Sequence, residues 1–291
     1  MLIGIVIIVL IIIYLFLIAP NTGRSEKMLP FCEVYIAHRG LFYNGQVQEK
    51  VNSGDKDKQE GLVEDIIPEN SLPAFERAVA AGYGIELDTQ TTSDGRVVVF
   101  HDESLFRMCG VEKNLHDCTY DELRKYNLVG TDYKIPLFED VLKVIDGKVP
   151  LIVEVKSEGN YRRTTRLTAE YLDSYRGTYC VESFHPLVLS WFKKNRPDVL
   201  RGQLSTNFFR STLKRRWYEN IILTNLMLNF LSRPDFIAYN YRYKYQPSFF
   251  ICRKLFSVVC AAWTVRSEEA LRKAEKVFDV IIFDSFLPGK K

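Results

Sequence analysis

Net charge is almost absent from this 291-residue sequence: 39 Lys and Arg face 36 Asp and Glu, for a formal +3. Basic and acidic residues are spread along the chain, which excludes the concentrated basic face of a nucleic-acid binder; no nucleic-acid signature is present. There is no CxxC pair and no Cys/His spacing of the kind that holds zinc, so a sulfur-ligated metal is not expected. The cysteines are six (Cys32, Cys109, Cys118, Cys180, Cys252 and Cys260). Four of these lie within or beside apolar or structured runs rather than in a small dense scaffold, so buried free thiols are expected. Histidine is scarce, with four in all, so the setting of each one carries weight.

Long apolar runs are rare too, with one exception. Residues 2–19, LIGIVIIVLIIIYLFLIA, are uncharged throughout, and at 1.5 Å per residue they would extend about 27 Å, the depth of a bilayer core. The run has no basic leader, exceeds the apolar length of a signal peptide and lacks a small-x-small cleavage site, which favours a membrane anchor over a cleaved signal. Arg24 and Lys27 follow it, so the positive-inside tendency places the remaining domain in the cytoplasm. The expected organisation is a transmembrane anchor at 1–20, a linker at 21–33 and one domain at 34–291, with 47% hydrophobic residues sufficient for a large core.

Beyond the linker, short apolar strands alternate with helical stretches, as in parallel strands joined by crossover helices. Strands are expected at 34–38, 84–90, 150–156, 178–184, 199–204, 235–240, 257–265 and 279–284. Helices are expected at 71–82, 136–147, 161–175, 186–195 and 267–277. Eight such repeats predict an α/β fold, a TIM (β/α)8 barrel with an N-terminal transmembrane helix, in which chemistry gathers at the strand C-terminal ends. The polar residues there are His38, Arg39, Glu86, Asp88, Glu154, Lys156, Glu182 and Trp263. Two segments depart from the repeat. The polar stretch between Gly40 and Pro68 reads as a long loop, either a solvated insertion or a lid. The segment 211–232, basic and then apolar, reads as a covering barrel helix or as one that dips into lipid headgroups.

The stretch GIELDTQTTSDGRVVVFHDESL, Gly84 to Leu105, is the most informative. Side chains alternate along a strand, so Glu86 and Asp88 point to one side. Two carboxylates that close raise one another's pKa unless a positive group intervenes, either a cation or a Lys or Arg partner. The Asp94-Gly95 pair signals a tight turn into a second strand that ends in His101 and Asp102, bringing an imidazole near the carboxylates.

The ordered motifs IAHRG, PENSLPAFERAVAAGYGIELDTQTTSDGRVVVFHDESL, IPLFEDVL and LIVEVK resemble the glycerophosphodiester phosphodiesterase family from about Val34 to the chain end. The resemblance implies an eight-stranded barrel that cleaves glycerophosphodiesters to glycerol 3-phosphate and an alcohol with a divalent cation. It implies Glu86, Asp88 and Glu154 as metal ligands, an oxygen-only set suited to Ca²⁺ or Mg²⁺. His38 and His101 match the family's acid/base pair, which a poorly electrophilic phosphodiester needs both to activate its nucleophile and to protonate its leaving group. His116 and His185 lack that setting and read as structural or surface residues.

Arg39 and Lys156 would hold the phosphate oxygens or act as counter-ions of the carboxylates. Glu69, in the PEN motif, lies at the metal or substrate edge or serves the entry of the following helix. Trp263 packs against the glycerol or alcohol moiety or belongs to the barrel core. The expected chemistry is attack by the glycerol 2-hydroxyl, one histidine taking its proton and the other protonating the leaving alcohol, followed by water opening a cyclic phosphate; direct attack by water is the alternative.

LFRMCG, Arg266 after WTV, and IIFDSFLP depart from the family's usual pattern. On the sequence alone, none touches the presumed ligands or histidines. Other readings are a phospholipase D-like or sphingomyelinase D-like hydrolase acting on lysophospholipid or membrane lipid, and a catalytically silent membrane-tethered binding protein. Expected partners are a small glycerophosphodiester or lysolipid and membrane lipid, through the N-terminal helix and residues 211–232.

Overall fold

The computed structural model of the protein describes residues 2–43, 66–211 and 215–291. Eight parallel strands close into a barrel: β1 (Ile36–His38), β2 (Gly84–Thr91), β4 (Leu151–Val155), β5 (Tyr179–Ser183), β6 (Leu200–Ser205), β7 (Phe236–Asn240), β8 (Val259–Val265) and β9 (Val280–Phe283). The order β1-β9-β8-β7-β6-β5-β4-β2 is completed by a parallel β1–β2 pairing. A ninth strand, β3 (Val97–Val99), pairs antiparallel with β2 across the Asp94-Gly95 turn, with Thr89 opposite Val99 and Thr91 opposite Val97. Every expected barrel strand is present, within two residues at each end.

Strand alternation decides what faces inward. Ile85, Leu87, Leu151 and Val153 belong to the large core between sheet and helices, whereas Ile36, Ile152, Cys180, Phe236, Ala238, Val280 and Ile282 fill the barrel interior. Two residues further along, those interior rows turn polar: Ile36 is followed by His38, Ile152 by Glu154, Cys180 by Glu182, and Ile282 by Asp284. The barrel is therefore an apolar plug at the strand N-terminal ends and an ionisable layer at the C-terminal ends. Gly202 leaves room for the plug, since a Cβ there would lie 2.2 Å from the Phe236 ring. Two single-turn helices, Ser25–Met28 and Leu29–Cys32, close the bottom and insert Met28 and Phe31, both fully buried, into this interior cluster.

Helices of at least seven residues among the described residues are α1 (Leu2–Ile18), α2 (Leu72–Ala81), α3 (Phe138–Ile145), α4 (Tyr161–Asp173), α5 (Pro186–Asn195), α6 (Trp217–Thr224), α7 (Pro247–Lys254) and α8 (Glu268–Ala274). Proline in the first turn and Gly82 at φ 75° bound α2, the usual pairing of a pre-set start and a left-handed stop. α7 lacked a sequence expectation. The segment between β3 and β4 builds a small core of its own around Phe100, Leu105, Met108 and Leu115. Four of the six free cysteines are buried and two half-buried.

Two expectations change. Among the described residues no helix is long and apolar enough to cross a membrane. α1 covers 17 of the residues expected to span, and its last turn docks on the barrel: Ile18 is fully buried and its carbonyl accepts from Asn229 Nδ2 at 2.9 Å. The run 211–232 is not one helix; α6 ends at Thr224, Leu226 adopts φ 57°, and a short helix, Asn229–Ser232, follows. Most of the expected 41–67 loop lies outside the described residues.

The bottom plug gives a stability test remote from the mouth. Replacing Phe31 with Ala is expected to cost about 3–5 kcal/mol, the range for an aromatic deleted from a packed core. Denaturant unfolding measures it; a change within about 0.5 kcal/mol, as for an exposed position, would mean the plug is not packed as described.

Candidate active site

The ionisable layer forms because neighbouring strands bring acidic residues into register. Asp88 pairs with Glu154, Glu154 with Glu182, and His38 with Glu86. Ligand oxygens of Glu86, Asp88 and Glu154 all lie within 4.8 Å of one another, and all three residues are buried. Among the described residues this is the one such cluster. It opens into a cleft of about 200 Å³ that is also lined by His38, Arg39, His101, Glu182, Phe184 and Trp263.

Lys156 holds this layer together electrostatically, its Nζ lying 3.1 Å from Glu154 and 3.4 Å from Asp88. Arg39 contributes from the other side: its backbone N–H donates to Glu86 Oε2 at 3.0 Å, and its guanidinium reaches Asp88 at 3.5 Å and Glu69 at 2.6 Å. Arg39 takes φ 58° and Gly40 φ 80°, a turn in which any Cβ on Gly40 would meet Ala74 at 2.9 Å. The HRG sequence thus aims a backbone donor and a guanidinium at the carboxylates from one tight corner. Asn70 of the PEN motif donates to Asp88 at 2.8 Å.

The charges are unequal in consequence. Burial opposes ionisation of Asp88, yet Lys156, His101 and Arg39 together hold it well below the usual carboxylate range. Burial raises Glu86, helped by Asp88, Glu182 and Glu154. Burial also raises Glu154 against the pull of Lys156, and raises Glu182, with Glu154 and Asp88 adding to it. The Lys156 ammonium is favoured despite burial because two carboxylates face it. Four buried acids against Lys156 and Arg39 leave a surplus of oxygen donors that a hard divalent cation is suited to neutralise. The donor set therefore fits Ca²⁺ or Mg²⁺, with Glu86, Asp88 and Glu154 as the residues that would hold it.

Each imidazole is oriented by an acid. His38 Nδ1 lies 3.0 Å from Asp284 Oδ2, with Nε2 turned toward Glu86 at 3.9 Å. Burial and the adjacent Arg39 push His38 down to about 4, against the opposing effect of Asp284; the ring is neutral at pH 7. With Nδ1–H donating to Asp284, Nε2 keeps its lone pair. His101 Nδ1 lies 2.6 Å from Asp102 Oδ1, and Arg107 clamps Asp102 at 2.6 Å while bonding both oxygens of Glu69.

All nine residues expected at the site thus meet at one end of the barrel. Glu69 stands apart from the carboxylate cluster, paired with two arginines. Trp263 is half-buried in the cleft wall, edge-on to Phe184 at 5.4 Å, and its buried indole nitrogen makes no hydrogen bond. His185 stacks on Tyr161 and His116 pairs with Asp117, both outside the cleft. One expectation is overturned: one departing segment touches a histidine directly, and the other two reach the histidines through an intervening acid. Arg107 of LFRMCG fixes His101 through Asp102, and Asp284 of IIFDSFLP fixes His38 while Arg266 pairs with Asp284 at 2.8 Å. The strand-end position of Asp284 was the available signal.

Comparison with known proteins bears on this geometry. The model of the glycerophosphoryl diester phosphodiesterase family matches residues 38–286. The chain belongs to that family. A glycerophosphodiester phosphodiesterase of Bacillus altitudinis is 32% identical over 144 residues, 45% of this chain and 59% of that protein. The human lysophospholipase D GDPD1 is 29% identical over 173 residues, 54% of this chain and 48% of that protein. The chain thus spans about half the length of these curated relatives. A solved Oleispira antarctica phosphodiesterase, in complex with the product sn-glycerol-3-phosphate, superposes with a TM-score of 0.66 at 21% identity, covering 87% of this chain and 93% of that one. A Thermotoga maritima glycerophosphodiester phosphodiesterase gives 0.61 at 23% identity, covering 87% and 94%. At these identities the structures show a shared fold.

The buried acids set the pH dependence of stability. Glu182 has its folded pKa raised, so the folded state binds more protons than the unfolded one and stability falls as pH rises above the ordinary carboxylate range. In EDTA, Glu182→Gln is expected to stabilise the protein at pH 8 by on the order of 1–3 kcal/mol, and much less at pH 4.5. Denaturant unfolding at the two pH values checks it; an equal effect at both would contradict the assignment.

Proposed function

We propose that this chain is a divalent-cation-dependent phosphodiesterase that hydrolyses glycerophosphodiesters to glycerol 3-phosphate and an alcohol, with His38 and His101 transferring the protons. The observation that carries this reading is one cleft lined by both acid-oriented imidazoles and by two of the three clustered carboxylates, Glu86 and Glu154. The family match and the product named for the Oleispira enzyme support the substrate class.

Bound at Glu86, Asp88 and Glu154, a divalent cation supplies Lewis acidity toward substrate oxygens. The chain's own groups do the rest. Arg39 and Lys156 bring positive charge to the cleft and bind the non-bridging phosphate oxygens. His38, neutral and locked through Nδ1 by Asp284, takes the proton of the glycerol 2-hydroxyl at Nε2 as that oxygen bonds to phosphorus. His101, held by Asp102 at the more open side of the cleft, gives a proton to the departing alkoxide. The roles then reverse: His101 takes a proton from water, which attacks phosphorus, and His38 returns its proton to the 2-oxygen, leaving glycerol 3-phosphate. Glu69 positions Arg39 and Arg107, and Trp263 packs against the glycerol or the alcohol moiety.

The exposed apolar length of α1 favours a second reading of the substrate, in which the alcohol carries an acyl chain and the domain acts at a membrane, on the cytoplasmic side according to Arg24 and Lys27. The match to a protein named lysophospholipase D agrees with it.

His38→Ala and His101→Ala are each expected to lower turnover by roughly 10²–10⁴-fold with unchanged unfolding, while Asp284→Asn lowers it by roughly 10–100-fold. The assay measures glycerol 3-phosphate released from glycerophosphocholine and lysophosphatidylcholine, with Ca²⁺ or Mg²⁺ and with EDTA. Wild-type rates in both histidine variants, or activity indifferent to EDTA, would refute the mechanism.

A further inference from the structure

α1 leaves the barrel in a defined direction. At its C-terminal end Cys252 Sγ and Asn229 Nδ2 both donate to the Ile18 carbonyl, and Asn21 Nδ2 donates to Asp235 at 2.7 Å. Asp235 directly precedes β7, so this end lies toward the N-terminal side of the strands. One turn earlier the Tyr14 side chain lies close to Ser248, in the first turn of α7. A helix that follows a barrel strand starts at the strand's C-terminal side. The pairs Ile18–Cys252 and Tyr14–Ser248 therefore set α1 parallel to α7, with its N-terminus directed past the mouth. Residues 2–13, all exposed, continue about 18 Å beyond Tyr14 at helical rise.

α6 lies on the same side. Ser205, the last residue of β6, donates to the Leu223 carbonyl at 2.9 Å, and Phe208 N donates to Thr224 Oγ1 at 3.0 Å, which fixes α6 at the rim. Its free face carries Trp217, 70% exposed, and Ile221, with Tyr245, 81% exposed, on the next rim loop. Arg216 bonds the Tyr218 hydroxyl, and Arg215 sits 5.0 Å from the Phe208 ring. Phe208 packs on Phe184, and Phe184 on Trp263, so rim and cleft wall form one aromatic series. Amphipathic aromatics beside arginines suit a headgroup layer, with apolar bodies toward acyl chains and cations toward phosphate.

We propose that the mouth of the barrel is seated on an anionic phospholipid bilayer, with α1 inserted and the α6 rim at headgroup depth, so that the cleft opens onto the lipid surface. The exposed apolar length of α1, directed to the same side of the barrel as the rim, argues for lipid as its occupant, and so does the charge of Arg215 and Arg216. The inference rests on the direction of α1 and not on the catalysed reaction, so its test reads no turnover.

The test uses full-length chain in vesicles of phosphatidylcholine and phosphatidylglycerol, with phosphatidylcholine brominated or not on its acyl chains. Two single-tryptophan variants are compared: Trp191→Phe/Trp263→Phe, which retains Trp217, and Trp217→Phe/Trp263→Phe, which retains Trp191, on α5 with its ring against Arg196. Bromolipid is expected to quench Trp217 roughly two-fold or more, as for an interfacial aromatic, and to leave Trp191 nearly unchanged. Arg215→Glu/Arg216→Glu in the Trp217 reporter should reduce the quenching while α1 keeps the chain on the vesicles. Equal quenching of the two reporters overturns the orientation, and quenching insensitive to the charge reversal overturns the headgroup contact. Chain left in the supernatant overturns the whole proposal. Unquenched Trp217 in a vesicle-bound, cross-linkable dimer shows that a second copy covers the rim instead.

Discussion

Burial of like charge is the constraint on which the rest of this structure depends. Glu86, Asp88 and Glu154 project from two adjacent strands into a space small enough that their ligand atoms lie within 4.8 Å. Isolated carboxylates so placed would neutralise themselves by taking up protons. Around these three converge two cations, a carboxamide from Asn70 and a backbone N–H from Arg39; Arg39 and Lys156 directly follow strand ends, and Asn70 stands at the entry to α2. The barrel is the device that makes this affordable, because its apolar interior rows and bottom plug fix strand register beneath the charged layer.

The two histidines answer the same field differently. His38 sits deeper, beside Arg39, and is kept neutral even though Asp284 touches it; its basic nitrogen is oriented rather than charged. His101 is carried by the excursion after β3 and sits in a ladder in which Asp102, Arg107 and Glu69 alternate in sign. That ladder ends on Arg39, so the environments of the two rings are mechanically linked through Glu69. Paired imidazoles of unequal setting are what a reaction with one proton taken and one given requires.

Much of this was legible in the residues themselves. Period-two alternation put Glu86 and Asp88 on one face, the Asp94-Gly95 turn folded His101 back toward them, and eight apolar runs marked the barrel strands. What escaped was set by closure. Asp284 meets His38 across 246 positions of sequence because β9 pairs with β1 to complete the barrel. Arg107 reaches Glu69 because the β3–β4 excursion packs over the rim. Neither pairing is written in a local pattern, and the strand-end position of Asp284 was the one trace of either. The apolar run at the N-terminus shows the same limit from the other side: hydropathy registered its length, but not that the turn around Ile18 is committed to Asn229 and Cys252.

The central claim is that the buried acidic trio is a cation site. Calorimetric titration of Mg²⁺ and Ca²⁺ into the chain at neutral pH tests it most directly, beside Asp88→Asn, which removes one charge and keeps the shape. One cation per chain is expected for the native protein, with affinity lost or sharply reduced in the variant. Binding of equal strength to both proteins, or to neither, would contradict the account.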